Sequence, residues 1–220
     1  MKNLADSLEI TLKSSDLQGT ASGLAEVALD TFIDEGIARD IPIIGTLFGM
    51  ANTVSTVRDH LFLKKIVTFL TELSSVDMKQ RAKMLANIEN DEKYKTKVGE
   101  KLLFILDRCD DYEKAQLIAK LFCAFVNEEI KYDDFLRCSA IIERVFLTDI
   151  YDFVDSTWDY IETDNAPHLL NTGLVDLSIP DFTVEENPDY KASETYVVND
   201  ASFSMWVSKS GTIIRKILVR

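Results

Sequence analysis

Arg58-Asp59-His60-Leu61-Phe62-Leu63-Lys64-Lys65-Ile66-Val67-Thr68-Phe69-Leu70-Thr71-Glu72-Leu73 decides the class of this chain. Leu61, Phe62, Lys65, Ile66, Phe69, Leu70 and Leu73 recur at helical spacing, and Lys64, Lys65 and Glu72 supply the charge. Such a stripe needs another apolar surface to cover it. The following residues provide several. Ser74-Ser75-Val76-Asp77 reads as a helix start, with Ser74 as cap and Asp77 at the favourable N-terminal end. Met78, Ala82, Leu85 and Ile88 form the next stripe. Val98, Leu102, Ile105 and Leu106 form another, then Ala115, Ile118, Leu121, Phe122 and Phe125, then Tyr132, Phe135, Leu136, Ser139, Ile142 and Phe146. Helices joined by short polar turns are expected to pack as antiparallel neighbours, so residues 58–148 read as a helical bundle.

Upstream, residues 1–57 read as N-terminal helices. Leu4, Leu8 and Leu12 repeat at four, and Leu24, Val27, Ala28, Phe32 and Ile33 form an apolar face between Glu26, Asp30 and Asp34. Residues 41–57 carry no charge and contain Gly45 and Gly49 in a GxxxG spacing. Seventeen residues stand at the lower limit for crossing a bilayer, and Pro42, Asn52, Thr53, Ser55 and Thr56 reduce the apolarity further. A buried helix with an apolar loop is the favoured reading. Ile44, Gly45, Phe48 and Gly49 would be the membrane or helix-pairing residues of the alternative.

Downstream, residues 149–220 change character. Thr148 is a helix cap by type, and Ile150, Tyr151, Val154, Trp158 and Ile161 continue helically. Pro167 to Gly173 read as a short helix closed by glycine. Leu174 to Ile179 alternate as a strand does, and Pro180 and Pro188 bracket an acidic loop. Residues 194–199 and 203–207 read as strands, and Ser208 caps a last helix with Ile213, Ile214, Ile217 and Leu218 on its apolar face. Helix, short helix, strand, loop, strand, helix is the winged-helix order. The sequence therefore predicts a mainly α protein: a helical bundle with a small α+β, winged-helix-like C-terminal part.

Charge restricts what that end can do. The net charge is −13, and residues 149–220 hold thirteen acids against five bases. Such a surface repels phosphate, which removes the electrostatic source of most DNA affinity. Nucleic acid is excluded as a partner, and a basic protein is expected instead. The basic cluster Lys79, Arg81, Lys83, Lys93, Lys95, Lys97 and Lys101 is interleaved with Glu89, Asp91, Glu92 and Glu100, the pattern of an ion-paired helical face.

Chemistry-bearing motifs are few. There is no P-loop, dinucleotide fingerprint or GxSxG, so no cofactor and no catalytic residue is expected. His60 and His168 belong to no zinc or nucleophile pattern. Asp107, Asp110 and Asp111 are the densest acids; they suit a divalent metal by type, but suit a helix stop followed by a helix start better. Cys109, Cys123 and Cys138 lie on apolar stretches as buried thiols, and with no apolar leader at the N-terminus a cytoplasmic chain is expected.

Two stretches carry a resemblance. Leu169-Leu170-Asn171-Thr172-Gly173-Leu174-Val175 and Trp206-Val207-Ser208-Lys209-Ser210-Gly211-Thr212-Ile213-Ile214 resemble the C-terminal end of the abortive-infection alpha proteins, helical bacterial proteins associated with phage resistance. The stretch from Ile41 to Lys65 is similar to uncharacterised bacterial and mobile-element proteins. The resemblance implies a bacterial or phage origin and a role in phage–host conflict, and it brings no catalytic residue. The function expected is a non-enzymatic interaction module, with Trp158, Phe182, Tyr190, Tyr196 and Trp206 as partner-binding residues. The alternative is a membrane-acting effector that inserts through residues 41–57.

Overall fold

The computed structural model describes residues 4–15, 17, 41–51, 56–90, 97–179, 184–186, 196–198 and 203–219. The expected helix from Leu24 to Ile33, together with Phe182, Tyr190, Lys93 and Lys95, lies outside the described residues. The chain divides into two compact units, one ending at Leu147 and the other running from Thr148 to Val219.

Among the described residues the first unit is helical: α1 (Leu4–Leu12), α2 (Pro42–Ala51), α3 (Val57–Leu73), α4 (Met78–Asn90), α5 (Val98–Arg108), α6 (Tyr112–Val126) and α7 (Tyr132–Arg144). Its centre is the packing of α3 on α6, with α7 against α6 and α5 against α3. Phe122 sits in the middle, its ring 5.6 Å from Phe69 and 5.3 Å from Phe135. Phe125 and Tyr132 extend that aromatic cluster. The expected run of antiparallel neighbours is corrected in part. α3 packs chiefly on α6, and α1 packs on α5 as well as on its neighbour α2, so apolar faces also meet across intervening helices.

α2 joins this unit by packing on α1. Ser7 and Thr46 share a hydroxyl hydrogen bond at 2.7 Å, and the Ile43 amide donates to Thr11 Oγ1 at 3.1 Å. Where α1 crosses α5, a Cβ on Gly99 would stand 2.5 Å from the Ala5 carbonyl oxygen, so only glycine allows this approach. Ile41, Ile43 and Ile44 are buried. Gly45 and Phe48 are half-buried, and Gly49 is exposed with nothing within 4 Å of its missing Cβ. α2 has ten residues, about 15 Å of helix against the ~30 Å of a hydrocarbon core. Among the described residues no helix is long and apolar enough to cross a membrane.

Several local expectations are revised. Ser74 closes α3 as its C-cap and does not open α4; Asp77 opens α4, its Oδ2 accepting from the Lys79 amide at 3.0 Å. Thr56 and Asp59 form a reciprocal capping box at the start of α3. Arg81, expected on an ion-paired helical face, is 1% exposed and donates to the Ser14 carbonyl at 3.0 Å, and burial lowers its pKa. Lys83 and Lys97 do pair with acids, Glu128 at 2.9 Å and Asp6 at 2.8 Å.

The second unit contains the rest of α8 (Leu147–Asp155), which starts one residue before Thr148, the expected cap. It continues with β1 (Tyr160–Glu162), two single 3₁₀ turns (Thr163–Asn165 and Pro167–Leu169), β2 (Val175–Ser178), β3 (Val184–Glu186), β4 (Tyr196–Val198), β5 (Ser204–Val207) and α9 (Lys209–Leu218). β1, β5 and β2 make an antiparallel sheet in that order, and β3 and β4 pair with each other as a separate hairpin. The helix expected to run through Ile161 stops at Asp155, and Tyr160–Glu162 pair with Ser204–Trp206 instead. The expected helix at Pro167–Gly173 is a 3₁₀ turn followed by Asn171 at φ 62° and Gly173 at φ 89°. The loop between Pro180 and Pro188 contains β3.

Candidate functional site

The site follows from how the second unit fills one side of its sheet. Ser208 caps α9, its Oγ accepting from the Gly211 amide at 2.9 Å and donating to the Gly173 carbonyl at 2.7 Å. The Ser208 amide donates to the Leu174 carbonyl at 3.0 Å, which fixes α9 to the entry of β2. Ile214 and Leu218 of α9, Phe153 and Val154 of α8, and Met205 of β5 are all buried. Arg215 lies over the Phe153 ring at 4.7 Å and near the Trp158 ring at 5.4 Å, and donates to Asp159 at 3.2 Å. Trp158 packs edge-on against Phe153 at 5.7 Å, so it braces the unit.

Strand alternation then puts the residues beside Met205 on the opposite face. Trp206 pairs with Tyr160 on one side and with Asp176 on the other. Directly paired side chains stand within about 5.5 Å at Cβ, so these three form one row across the sheet. The Tyr160 and Trp206 rings are 5.1 Å apart and tilted by 59°. Both remain accessible, Tyr160 at 45% and Trp206 at 53%. Two residues along, Glu162, Ser204 and Ser178 make the next row, with Glu162 exposed. The face is thus an aromatic pair flanked by a carboxylate on each outer strand, in a unit whose sequence carries eight more acids than bases from Asp149 onward.

An electron-rich indole face and two carboxylates attract a cation, and the exposed rings offer apolar area. Of the expected partner-binding residues, Trp206 lies on this face and Trp158 does not. Tyr196 falls on β4, paired in register with Glu186, and Phe182 and Tyr190 are outside the described residues. Tyr160, Glu162 and Asp176 were not singled out from sequence. The signal that could have found the first two is the alternation in Trp158-Asp159-Tyr160-Ile161-Glu162.

The acids near Asp107 are spent on structure. Asp111 caps α6 by accepting from the Glu113 amide at 2.8 Å. Asp110 pairs at 2.8 Å with Lys114, which is 2% exposed, and that hydrogen bond holds the Asp110 carboxyl below its usual range. Asp107 faces Arg58 at 3.7 Å. Among the described residues no group of three His, Cys, Asp or Glu side chains is placed to hold a metal ion. Comparison with protein-family models, curated proteins and solved structures finds no match to this chain.

Proposed function

We propose that this protein is a non-enzymatic interaction module whose C-terminal unit docks a protein through the outer face of its sheet. The observation that carries this is the exposed Trp206–Tyr160 pair, since tryptophan and tyrosine dominate the energetics of protein interfaces. The winged-helix-like reading of this unit is supported by its order: a helix, β1, a turn region, β2, a hairpin, β5 and α9, with β5 between β1 and β2. Where a DNA-reading relative would carry a recognition helix, this chain has two 3₁₀ turns of three residues each. That substitution and the acidic charge both favour protein over DNA as the partner. A cytoplasmic setting fits the free thiols at Cys109, Cys123 and Cys138. The resemblance at Leu169–Val175 and Trp206–Ile214 supports a setting in phage–host conflict.

The test is in-cell photo-cross-linking, with a benzophenone amino acid replacing Tyr160 or, as a control, the exposed Lys216 of α9. The reading expects a discrete heteromeric adduct from position 160 and none from 216. Equal yields at both positions, or none at 160, would contradict it.

A further inference from the structure

Resting on that reading, we infer that the outer sheet face takes an arginine- or lysine-bearing segment of its partner, with one cationic side chain over the Trp206 indole between Asp176 and Glu162. Three observations converge on a cation. The Trp206 ring is half-open to solvent and held by Tyr160 at 5.1 Å, so it is presented in a fixed orientation. Asp176 stands directly across from Trp206 in the register, and Glu162 lies two residues along on the other outer strand, in the next row of the same face. Both carboxylates are exposed, so a guanidinium or ammonium stacked on the indole finds an acceptor on either side.

The same unit shows that its fold accommodates such a contact. Arg215 already lies against Phe153 and Trp158 with Asp159 as acceptor, the same combination of ring and carboxylate satisfied internally. Trp206, Asp176 and Glu162 repeat that combination facing outward. An anionic partner meets two carboxylates here, and a purely apolar segment would leave both desolvated without a counter-charge.

The test must separate this site from the general attraction of an acidic protein for polycations. The probe is a fluorescein-labelled peptide of four Arg-Ser repeats, titrated by anisotropy at about 0.15 M salt, where exposed charges beyond ~8 Å are screened. A Glu-Ser peptide of equal length is the control. Trp206→Ala and Trp206→Leu should each weaken the Arg-Ser peptide at least tenfold, the leucine variant keeping apolar bulk without a π face. Glu162→Gln/Asp176→Asn should weaken it at least tenfold, and Asp152→Asn/Asp155→Asn, the same charge change on exposed positions of α8, less than threefold. In a Trp158→Phe protein, Trp206 is the remaining tryptophan, and its emission should shift with the same midpoint as the anisotropy. Circular dichroism verifies that each variant is folded. Equal weakening by the two double variants, or full retention by Trp206→Leu, would overturn the inference. So would a concentration-dependent dimer lost in Trp206→Ala, which would make the occupant a second copy of the chain. An absence of peptide binding with the position-160 adduct intact overturns the cation inference alone; loss of both overturns the docking reading as well.

Discussion

Glu128 shows how a single residue can oppose the conformation it occupies. It follows the C-cap of α6 at φ 64°, and the Glu129 amide donates to the Ala124 carbonyl at 2.9 Å, the closure in which glycine is favoured. The left-handed conformation costs a side-chain-bearing residue about 1–2 kcal/mol, and glycine's greater unfolded freedom returns about 0.5–1 of that. The exposed Lys83 pair contributes little at this position. Glu128→Gly should therefore stabilise the protein by about 0.5 kcal/mol, read from urea midpoints; a loss would refute the strain. The thiols give a second prediction. Burial pushes both Cys109 and Cys123 up to about 12 from an ordinary value near 9. The unfolded chain releases those protons first, so their contribution is complete below about pH 9 and declines as pH rises toward 12. Cys109→Ala/Cys123→Ala should show a shallower alkaline loss of stability than the native chain, and an identical slope would refute the assignment.

At the scale of elements, close approach decides more than propensity. A Cβ on Gly211 would stand 2.1 Å from the Leu174 carbonyl oxygen and 3.0 Å from Phe153, so α9 can reach the β2 entry only with glycine there. Alanine is the better helix former by about 1 kcal/mol, yet Gly211→Ala should destabilise the second unit by about 2 kcal/mol or more as α9 is forced outward. Both tryptophans lie in that unit, so fluorescence-monitored unfolding reads the effect directly. Elements with long amphipathic stripes, α3 and α5 to α7, were legible because their period repeats within one stretch of chain. The Ser208 cap was legible for a similar reason, since cap and helix are adjacent. β1 was not: three residues, Tyr160–Glu162, become a strand only through partners at Ser204–Trp206, over forty positions away. Arg81 was misread because its helix carries charges around it, and only the fold brings the Ser14 carbonyl to its guanidinium.

The whole molecule joins a conventional helical core to a small unit that leaves aromatic surface uncovered and acidic. The helical core and the acidic charge of the C-terminal end could be read in the sequence. The site itself could not, because Tyr160, Trp206 and Asp176 meet only when β5 inserts between β1 and β2. With phosphate repelled, a 20-base-pair duplex should show no binding at micromolar protein in about 50 mM salt, conditions that favour electrostatic association; saturable binding there would remove the argument from charge. On this reading the face around Trp206 is open in the free chain and closed by a protein partner. Acrylamide quenching of Trp206 in the Trp158→Phe protein tests it, measured on the free chain and on the purified adduct from position 160. Strong quenching in the free chain and protection in the adduct is the predicted result. Weak quenching in the free chain, or equal quenching in both, would contradict it.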